Sequence, residues 1–254
     1  MKVDEIKSTK DFLGFLSKQN NNNFLPQTND EYSKSICGTN FTSEVLYILP
    51  RTETLKNIEN YNNLRYITIN NYKVDKKGIE ILREHKEKLL NVNFLDIWNI
   101  KQNDLDILEL FPNLTHLLVS YIGKPDFSFN GLDYLKKLGT LCFSSINKIT
   151  DFHFLTKSQK QIIKNLSLTY TANLTHLDGI EDFENLETRS LFASTPESRK
   201  KVTLENLNGL EKLSKLKSFD IGYFKFDIEE LKSKLLHLKH LKQYSIDYKT
   251  YENR

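Results

Sequence analysis

The chain has 254 residues, of which 39% are hydrophobic and 27% are charged, a composition typical of a folded globular protein. Its 36 basic and 33 acidic residues leave a net charge of only +3, which argues against a nucleic-acid partner, because such proteins usually gather a basic excess on one face. The amino terminus lacks the apolar core of a secretion signal, and no stretch offers the roughly 18 apolar residues of a spanning helix. With only two cysteines, Cys37 and Cys142, the chain is predicted to be cytoplasmic, without disulfides or membrane contact.

Residues 1–60 precede the repeating pattern described next and are predicted to form an N-terminal cap. Lys10 to Lys18 has the apolar spacing of a short helix, and Glu44 to Leu49 that of a strand. Repeat arrays need atypical end units to cover their exposed core. The alternative is a small targeting or docking element.

From residue 64 onward an apolar-x-x-apolar-x-apolar frame recurs. Its first, fourth and sixth places are Leu64/Ile67/Ile69, Leu89/Val92/Phe94, Leu114/Leu117/Val119, Leu138/Leu141/Phe143, Ile163/Leu166/Leu168, Leu186/Arg189/Leu191, Leu216/Phe219/Ile221 and Leu241/Tyr244/Ile246. Subtracting successive first places gives spacings of 25, 25, 24, 25, 23, 30 and 25 residues. This period and frame are typical of leucine-rich repeats. The sequence therefore predicts an α/β solenoid over residues 61–254, about eight repeats with a curved parallel β-sheet on the concave side and helices or helical turns on the convex side.

The segments between the frames have helical apolar spacing. Helices are predicted in Asp75 to Lys88, in Asn103 to Phe111 and in Asp227 to Leu241, where Asp227 and Glu230 have the spacing of an N-cap and its reciprocal partner. A last strand is predicted for residues 241–248, followed by a short polar end.

The stretch from Leu138 to Leu155 resembles the repeats of bacterial internalin-type leucine-rich repeat proteins. Asn147, Ile149, Asp151 and Phe152 match the element that follows the strand in that family, and residues 174–187 and 204–221 resemble its linking parts. The resemblance implies a protein–protein binding module that holds its partner on the concave face. The ninth place departs from the family's asparagine, and apolar packing is predicted to replace it at Ile97, Ile122, Ile146 and Phe224.

Strand alternation predicts the binding face, because the third, fifth and seventh places point away from the core. The eighth place adds a stripe of tyrosines along one rim, which are either interface anchors or rings that merely pack on the neighbouring turn. The candidate partner-binding residues are Tyr66, Asn93, Leu95, Asp96, Leu118, Tyr121, Tyr170, Phe192, Asp220, Tyr223, Asp247 and Tyr248.

The sixth copy is unusual in two ways. Arg189 occupies an inward place, where an unpaired charge is costly; a bulge, a shifted register or a pair with Glu187 or Glu184 each accounts for it. The copy is also the longest, and its extra residues 194–201 form either a basic contact for an acidic partner or an ordinary exposed loop.

No catalytic constellation, cofactor motif or metal site is predicted. The chain has no phosphate-binding loop, H-E-x-x-H or C-x-x-C motif. His237 and His240 lack a third ligand nearby, and no base is assigned to Cys142. An enzyme is therefore not expected.

The sequence predicts a non-enzymatic, intracellular module, monomeric alone, that binds another protein. Its sharper form is an immunity or antitoxin-like protein that blocks a toxin. The alternatives are a host-directed bacterial effector and an adaptor subunit of a larger assembly, for which a second apolar patch on the convex side is the expected sign.

Overall fold

The computed structural model describes the backbone of residues 45–48, then residue 58 and residues 64–70, 76–100, 102–124, 126–194, 198 and 200–253. The proposed cap therefore lies outside the described residues, apart from one strand and Ile58. In the described ranges the longest helices have nine residues, and none is long and apolar enough to cross a membrane.

Ten of the twelve described strands belong to one large sheet. Its strands are β1 (Val45–Ile48), β2 (Tyr66–Asn70), β3 (Phe94–Ile100), β4 (His116–Ile122), β5 (Thr140–Ser144), β6 (Asn165–Thr169), β7 (Thr188–Phe192), β9 (Ser218–Gly222), β11 (Gln243–Ile246) and β12 (Lys249–Glu252). A separate two-stranded sheet pairs β8 (Val202–Thr203) with β10 (Phe224–Lys225).

The large sheet is mostly parallel. Its order over the described ranges is β1-β2-β3-β4-β5-β6-β7-β9-β11-β12, so β1 and β12 are the outermost of the described strands. Every pair is parallel except β11 and β12, which form an antiparallel hairpin. The prediction of a short polar end over residues 251–254 is therefore wrong at Tyr251 and Glu252, which belong to β12. Tyr251 stacks on Tyr244 with ring centroids 5.5 Å apart.

Helical turns connect the strands. The α-helices are α1 (Lys76–Glu84), α2 (Lys86–Leu89), α3 (Lys157–Ile162) and α4 (Ile228–Leu236), and short 3-10 helices cover Asp106–Leu110, Leu132–Tyr134, Ile180–Asp182 and Leu210–Lys212. The predicted N-cap of α4 is confirmed, since the Asp227 carboxylate accepts hydrogen bonds from the backbone N–H groups of Glu229 and Glu230. A second cap, in which Thr156 and Gln159 exchange hydrogen bonds, begins α3.

The predicted frame of the second copy is wrong by three residues. Tyr66 pairs with Phe94, so the copy reads Val92/Leu95/Ile97, and its first place lies 28 residues after Leu64 and 22 before Leu114. The two corrected spacings still sum to the predicted fifty, which is why subtraction alone did not reveal the error. All other frames keep their predicted register.

The first, fourth and sixth places build a continuous hydrophobic core on one side of the sheet. They are almost completely buried in every copy from Leu64 to Ile246. The ninth place adds Ile122, Ile146 and Phe224 to the core, as predicted, and Ile100 in place of Ile97 after the correction of the frame. No single copy buries such a face alone, so the burial depends on the neighbouring copies.

Backbone hydrogen bonds tie each copy to the next at the second place. The carbonyl oxygen of Asn93 accepts from the N–H groups of Thr115 and His116 at 3.0 and 2.9 Å, and Thr115 accepts in the same way from Gly139 and Thr140. The pattern continues through the carbonyls of Gly139, Lys164 and Glu187 and begins at Arg65. This column links the successive copies from β2 to β9.

Glycine is required at one recurrent turn before the 3-10 helices. Gly131 has a φ of 99°, and a Cβ there would lie 2.2 Å from the carbonyl oxygen of Leu105. Gly179 and Gly209 hold the equivalent positions in later copies. A left-handed backbone that touches the preceding copy excludes every other residue.

Arg189 lies inside the core, and no described residue forms an ion pair with it. It keeps the predicted register between Leu166 and Phe219, and its side chain is only 1% exposed. The carboxylates proposed for it are engaged elsewhere, Glu187 by Lys217 and Glu184 by Gln161. Of the three alternatives, the bulge, the shifted register and the ion pair, none is realised.

What Arg189 does contact is an aromatic ring. Its Cζ lies 4.5 Å from the centroid of Phe152, and none of its three side-chain nitrogens has a hydrogen-bond acceptor among the residues that the structure describes. Burial drives its pKa well below the ordinary arginine value. A cation–π contact offsets only part of such a desolvation cost.

We expect the substitution Arg189→Met to stabilise the fold, because it fills a similar volume without a buried charge. The free energy of unfolding, measured by urea titration, should rise by about 1–4 kcal/mol. Arg189→Lys, which keeps the charge, should bring no gain. A loss of stability in the methionine variant would show that the guanidinium is stabilising where it lies.

Candidate functional site

The residues that leave the strands adopt a strained backbone conformation. At the eighth place, φ is 53° at Asn99, 60° at Tyr121, 58° at Ser145, 57° at Tyr170, and 62° and 67° at Tyr223 and Tyr248; among the described eighth places only Ala193 differs. This left-handed region suits glycine and asparagine, whereas a bulky residue there costs about 1–2 kcal/mol. The tyrosines therefore occupy places that the backbone does not favour for them.

Three of these four tyrosines are exposed. Tyr121, Tyr170 and Tyr248 expose 51%, 38% and 62% of their surface, while Tyr223 is half-buried. Together they form the aromatic rim, the row Tyr121, Tyr170, Tyr223 and Tyr248 at the carboxyl end of the strands. Trp98 extends the row, with its ring centroid 6.0 Å from that of Tyr121.

At one end the rim joins a cluster of three rings, named here the C-terminal aromatic cluster: Phe192, Tyr223 and Tyr248. Phe192 stacks on Tyr248 with centroids 5.1 Å apart and planes 22° apart, and Tyr223 lies 6.5 Å from Phe192 and 6.1 Å from Tyr248. Ring pairs at such distances attract each other beyond their buried area. The cluster is therefore assembled before any partner arrives.

Gly222 makes room for this cluster. It is the register partner of Phe192, and a Cβ on Gly222 would lie 2.5 Å from Cδ1 and Cε1 of that ring. The ring lies flat over the glycine.

Asp247 fixes the backbone beneath the cluster. Its carboxylate accepts from the N–H of Tyr223 at 2.6 Å and from Nζ of Lys201 at 2.7 Å. Burial opposes ionisation of Asp247, but these two hydrogen bonds outweigh it and hold its pKa below the ordinary value. The long sixth copy is thus tied to the rim through Lys201.

A second polar group lies toward the other end of the outer face, the face of the sheet opposite the core. Asp96 is only 3% exposed, and its Oδ2 lies 3.5 Å from the hydroxyl of Tyr66. Within the described part of the chain, its Oδ1 and the hydroxyl of its register partner Thr68 have no hydrogen-bond partner. Burial raises the pKa of Asp96 to about 8, against hydrogen bonds from Trp98 and Tyr66 that lower it.

Neighbouring titratable groups on this face are also held uncharged. His116 stacks on Phe94 at 4.3 Å, and burial lowers its pKa to about 4. Burial, together with the charge of Asp96, raises the pKa of Cys142 to about 12. The thiol is therefore protonated at neutral pH and a poor nucleophile.

The predicted partner-binding residues divide into groups. Leu95 is wrongly assigned, because the corrected frame places it in the core with 0% exposure, and Asn93 becomes a second-place residue whose carbonyl serves the backbone column. Asp96 moves from the rim to the fifth place. Tyr66, Asp96 and Leu118 lie on the outer face but are almost completely buried. The residues that the structure brings to an accessible surface are Tyr121, Tyr170, Phe192, Asp220, Tyr223, Asp247 and Tyr248.

Sequence reasoning missed Trp98 and the role of Gly222. Trp98 takes the seventh place once the second frame is corrected, so the error of three residues concealed it. Gly222 carries no signal by itself; its meaning depends on Phe192 in the neighbouring strand.

The comparisons with known proteins give no assignment. No family model matches the chain, and no curated protein is similar to it in sequence. Within the described ranges there is also no group of three or more histidine, cysteine or acidic side chains arranged to hold a metal. The outer face of the sheet and the aromatic rim are therefore the features of the molecule that bear on its function.

We expect the stability to fall as the pH rises from about 6.5 to 8. Folded Asp96 keeps its proton up to a pKa of about 8, whereas the unfolded chain releases it near 3.8, so stability falls with rising pH in that interval. Folded His116 is neutral above a pKa of about 4, whereas unfolded histidine binds a proton below about 6.5, so its contribution rises with pH between those values. The two effects oppose each other below 6.5, and only that of Asp96 continues above it.

Urea titrations at successive pH values test this balance. The wild type should lose about 1–2 kcal/mol between pH 6.5 and 8, and Asp96→Asn should abolish that loss. Asp220→Asn, the same substitution at the same place of a later copy, should leave the slope unchanged. If the free energy of unfolding of Asp96→Asn still falls between pH 6.5 and 8, another titrating group causes the loss.

We expect Gly222→Ala to destabilise the protein by about 1–3 kcal/mol, because the new methyl group collides with Phe192. Without a collision, the same change usually stabilises a strand. A double-mutant cycle in urea separates the two effects: in a Phe192→Ala background, Gly222→Ala should be neutral or stabilising. Gly123→Ala, where no atom lies within 4 Å of the added Cβ, is the control. Equal effects of Gly222→Ala in both backgrounds would show that the ring does not lie on the glycine.

Proposed function

We propose that the chain is an internalin-like leucine-rich repeat solenoid that binds another protein through its concave outer face and its aromatic rim. In this proposal it acts without catalysis, as an immunity or antitoxin-like protein that covers a toxin. The in-register parallel sheet with its connecting helical turns supports the solenoid. The recurrence of buried frames at a spacing of 22 to 30 residues supports it as well.

The observation that carries the proposal is the strained backbone of the rim tyrosines. Exposed rings contribute little to folding, and a left-handed φ at each of them costs stability. Strain of this kind gathers at binding surfaces and is retained there by function. Tyrosine also suits an interface, because it offers a large contact area and a polar tip with few rotatable bonds.

The C-terminal aromatic cluster adds a preassembled centre to this surface. Hot spots are typically small groups of packed aromatic side chains surrounded by contacts that exclude water. Phe192 and Tyr248 are already stacked, so little rotational freedom is lost when a partner covers them. The half-buried Asp247, whose carboxylate accepts from the N–H of Tyr223, supplies a polar group beside the rings, and the half-buried Asp220 lies two residues before Gly222 on β9.

We expect Tyr121→Ala with Tyr170→Ala to weaken partner binding about tenfold or more, because two exposed anchors are lost. Alanine keeps the Cβ and the left-handed strain, so the free energy of unfolding should stay within about 0.5 kcal/mol of the wild type. The measurement is capture of a partner from lysate of the producing cells, identified by mass spectrometry, then titration with the purified partner. For the immunity-like form, the partner expressed alone should arrest growth, and the chain should relieve the arrest.

The matched control is Ile228→Ala with Leu236→Ala, which removes two exposed apolar side chains from α4. Partner binding should survive it. Binding lost in this variant and kept in the tyrosine variant would replace the proposal with an adaptor that works through its helical side. A fall in stability of the tyrosine variant, with binding unchanged, would show that the rings are packing residues.

A further inference from the structure

We infer that the opposite, amino-terminal edge of the strands binds an acidic protein surface, an inference that rests on the proposed function and adds the chemistry of the partner. This lysine edge consists of Lys137, Lys164, Lys215, Lys217 and Lys242. They occupy two places of the copies from β5 onward: the residue just before the frame and the second place. All five are exposed.

The backbone column places these residues side by side. The backbone N–H of Lys164 donates to the carbonyl oxygen of Gly139 at 2.8 Å. In the same way, the backbone N–H of Glu187 donates to the carbonyl of Lys164, and that of Lys217 to the carbonyl of Glu187, both at 2.7 Å. The register of β11 with β9 puts Lys242 next to Lys217. Neighbouring strands lie about 4.8 Å apart, so the charges follow one another along the edge.

The residue just before the frame gives a second, parallel row. Nζ of Lys137 donates to the amide oxygen of Asn113 at 2.7 Å, and Lys215 makes the same contact with Asn185. Because Asn113 and Asn185 occupy this place in their own copies, each lysine reaches back by one copy. The side chains are thereby oriented along the edge.

The pKa of Glu187 is a second indication that the lysines lie close together. Its pKa is lowered, first by the hydrogen bond from Lys217 and then by the charges of Lys217, Lys164 and Lys215, which together outweigh its partial burial. Three lysines thus act on one carboxylate. Five positive charges less the one of Glu187 leave four on this edge, whereas the whole chain carries +3.

An acidic protein suits this edge better than a nucleic acid. Glu187 stays ionised in the middle of the lysines. A continuous phosphate backbone along the edge would pass over this carboxylate and be repelled by it. The two places hold no phenylalanine, tyrosine or tryptophan from β5 onward, so they offer no ring on which bases would stack. An acidic protein surface, by contrast, presents separate carboxylates that can avoid Glu187.

Exposed charges of this kind act mainly on the approach of the partner. They raise the association rate and make it dependent on salt, and they add little to the lifetime of the complex. The aromatic rim, at the other end of the same strands, supplies the contacts that slow dissociation. The two edges would thus hold one partner across the outer face.

The test uses a fluorescein-labelled peptide of alternating aspartate and glutamate, followed by fluorescence anisotropy at low salt. Wild-type protein should bind it, and Lys164→Gln with Lys217→Gln and Lys242→Gln should weaken binding about tenfold. Raising the salt concentration to physiological strength should weaken the wild type in the same way. An uncharged glycine–serine peptide should not bind.

The matched control is Lys77→Gln with Lys157→Gln and Lys225→Gln, which removes three exposed lysines outside the edge. It should bind the acidic peptide like the wild type. Equal losses in both triple variants, or no binding by the wild type, would overturn the lysine edge. Duplex DNA bound as tightly as the peptide, and through the same lysines, would replace the acidic protein with a nucleic acid.

These outcomes leave the proposed function separately testable, because the peptide assay needs no natural partner. A chain that ignores the acidic peptide but loses its partner in the tyrosine variant would refute only the lysine edge. A chain that binds the peptide but keeps its partner in that variant would refute only the rim.

Discussion

The in-register stacking of the copies is the constraint on which the rest of the structure depends. At every step from Arg65 to Glu187 one carbonyl oxygen at the second place accepts the N–H groups of two residues in the next copy. This column satisfies backbone groups that the turns leave unpaired, and it fixes the register on which the apolar places rely. A shift of one residue would expose the whole core face.

Length variation is consequently confined to the segments between the strands. Corrected first places lie between 22 and 30 residues apart, yet each strand keeps its register with its neighbours. The longest copy places its additional residues before β8, which pairs with β10 in a sheet of its own. Of the additional residues 194–201, only residues 194, 198, 200 and 201 lie in the described ranges, and Nζ of Lys201 donates to the Asp247 carboxylate beside the rim.

Periodicity was sufficient to predict the strands of the repeating frame and most of the core, because these depend on which residues recur, but it did not predict β8, β10 or β12. It was not sufficient where a residue satisfies two frames. Both Leu89/Val92/Phe94 and Val92/Leu95/Ile97 fit the pattern, and only the pairing of Tyr66 with Phe94 selects the second. In the corrected frame Leu95 takes the fourth place, in the core, and Trp98 takes the seventh place that had been given to Leu95. One candidate residue was therefore wrong and one was missed. Burial on the outer face was equally unpredictable, since Asp96 and Cys142 occupy outward places and are nonetheless enclosed.

The two ends of the strands differ because the backbone has a different conformation and different hydrogen bonds at each end. At the carboxyl end the chain turns through a left-handed residue, and side chains placed there extend from the strand ends. At the amino end the second place gives its carbonyl to the column, and the side chains at this place are exposed at Lys164, Lys217 and Lys242. Neither geometry requires tyrosine or lysine. Glycine or asparagine would fit the left-handed place at the carboxyl end, and any polar residue would fit the second place at the amino end. The fold does not require these residues, and the proposed binding accounts for their grouping by type. For the tyrosines the case is stronger, because their conformation is strained, whereas the lysines cost the fold nothing.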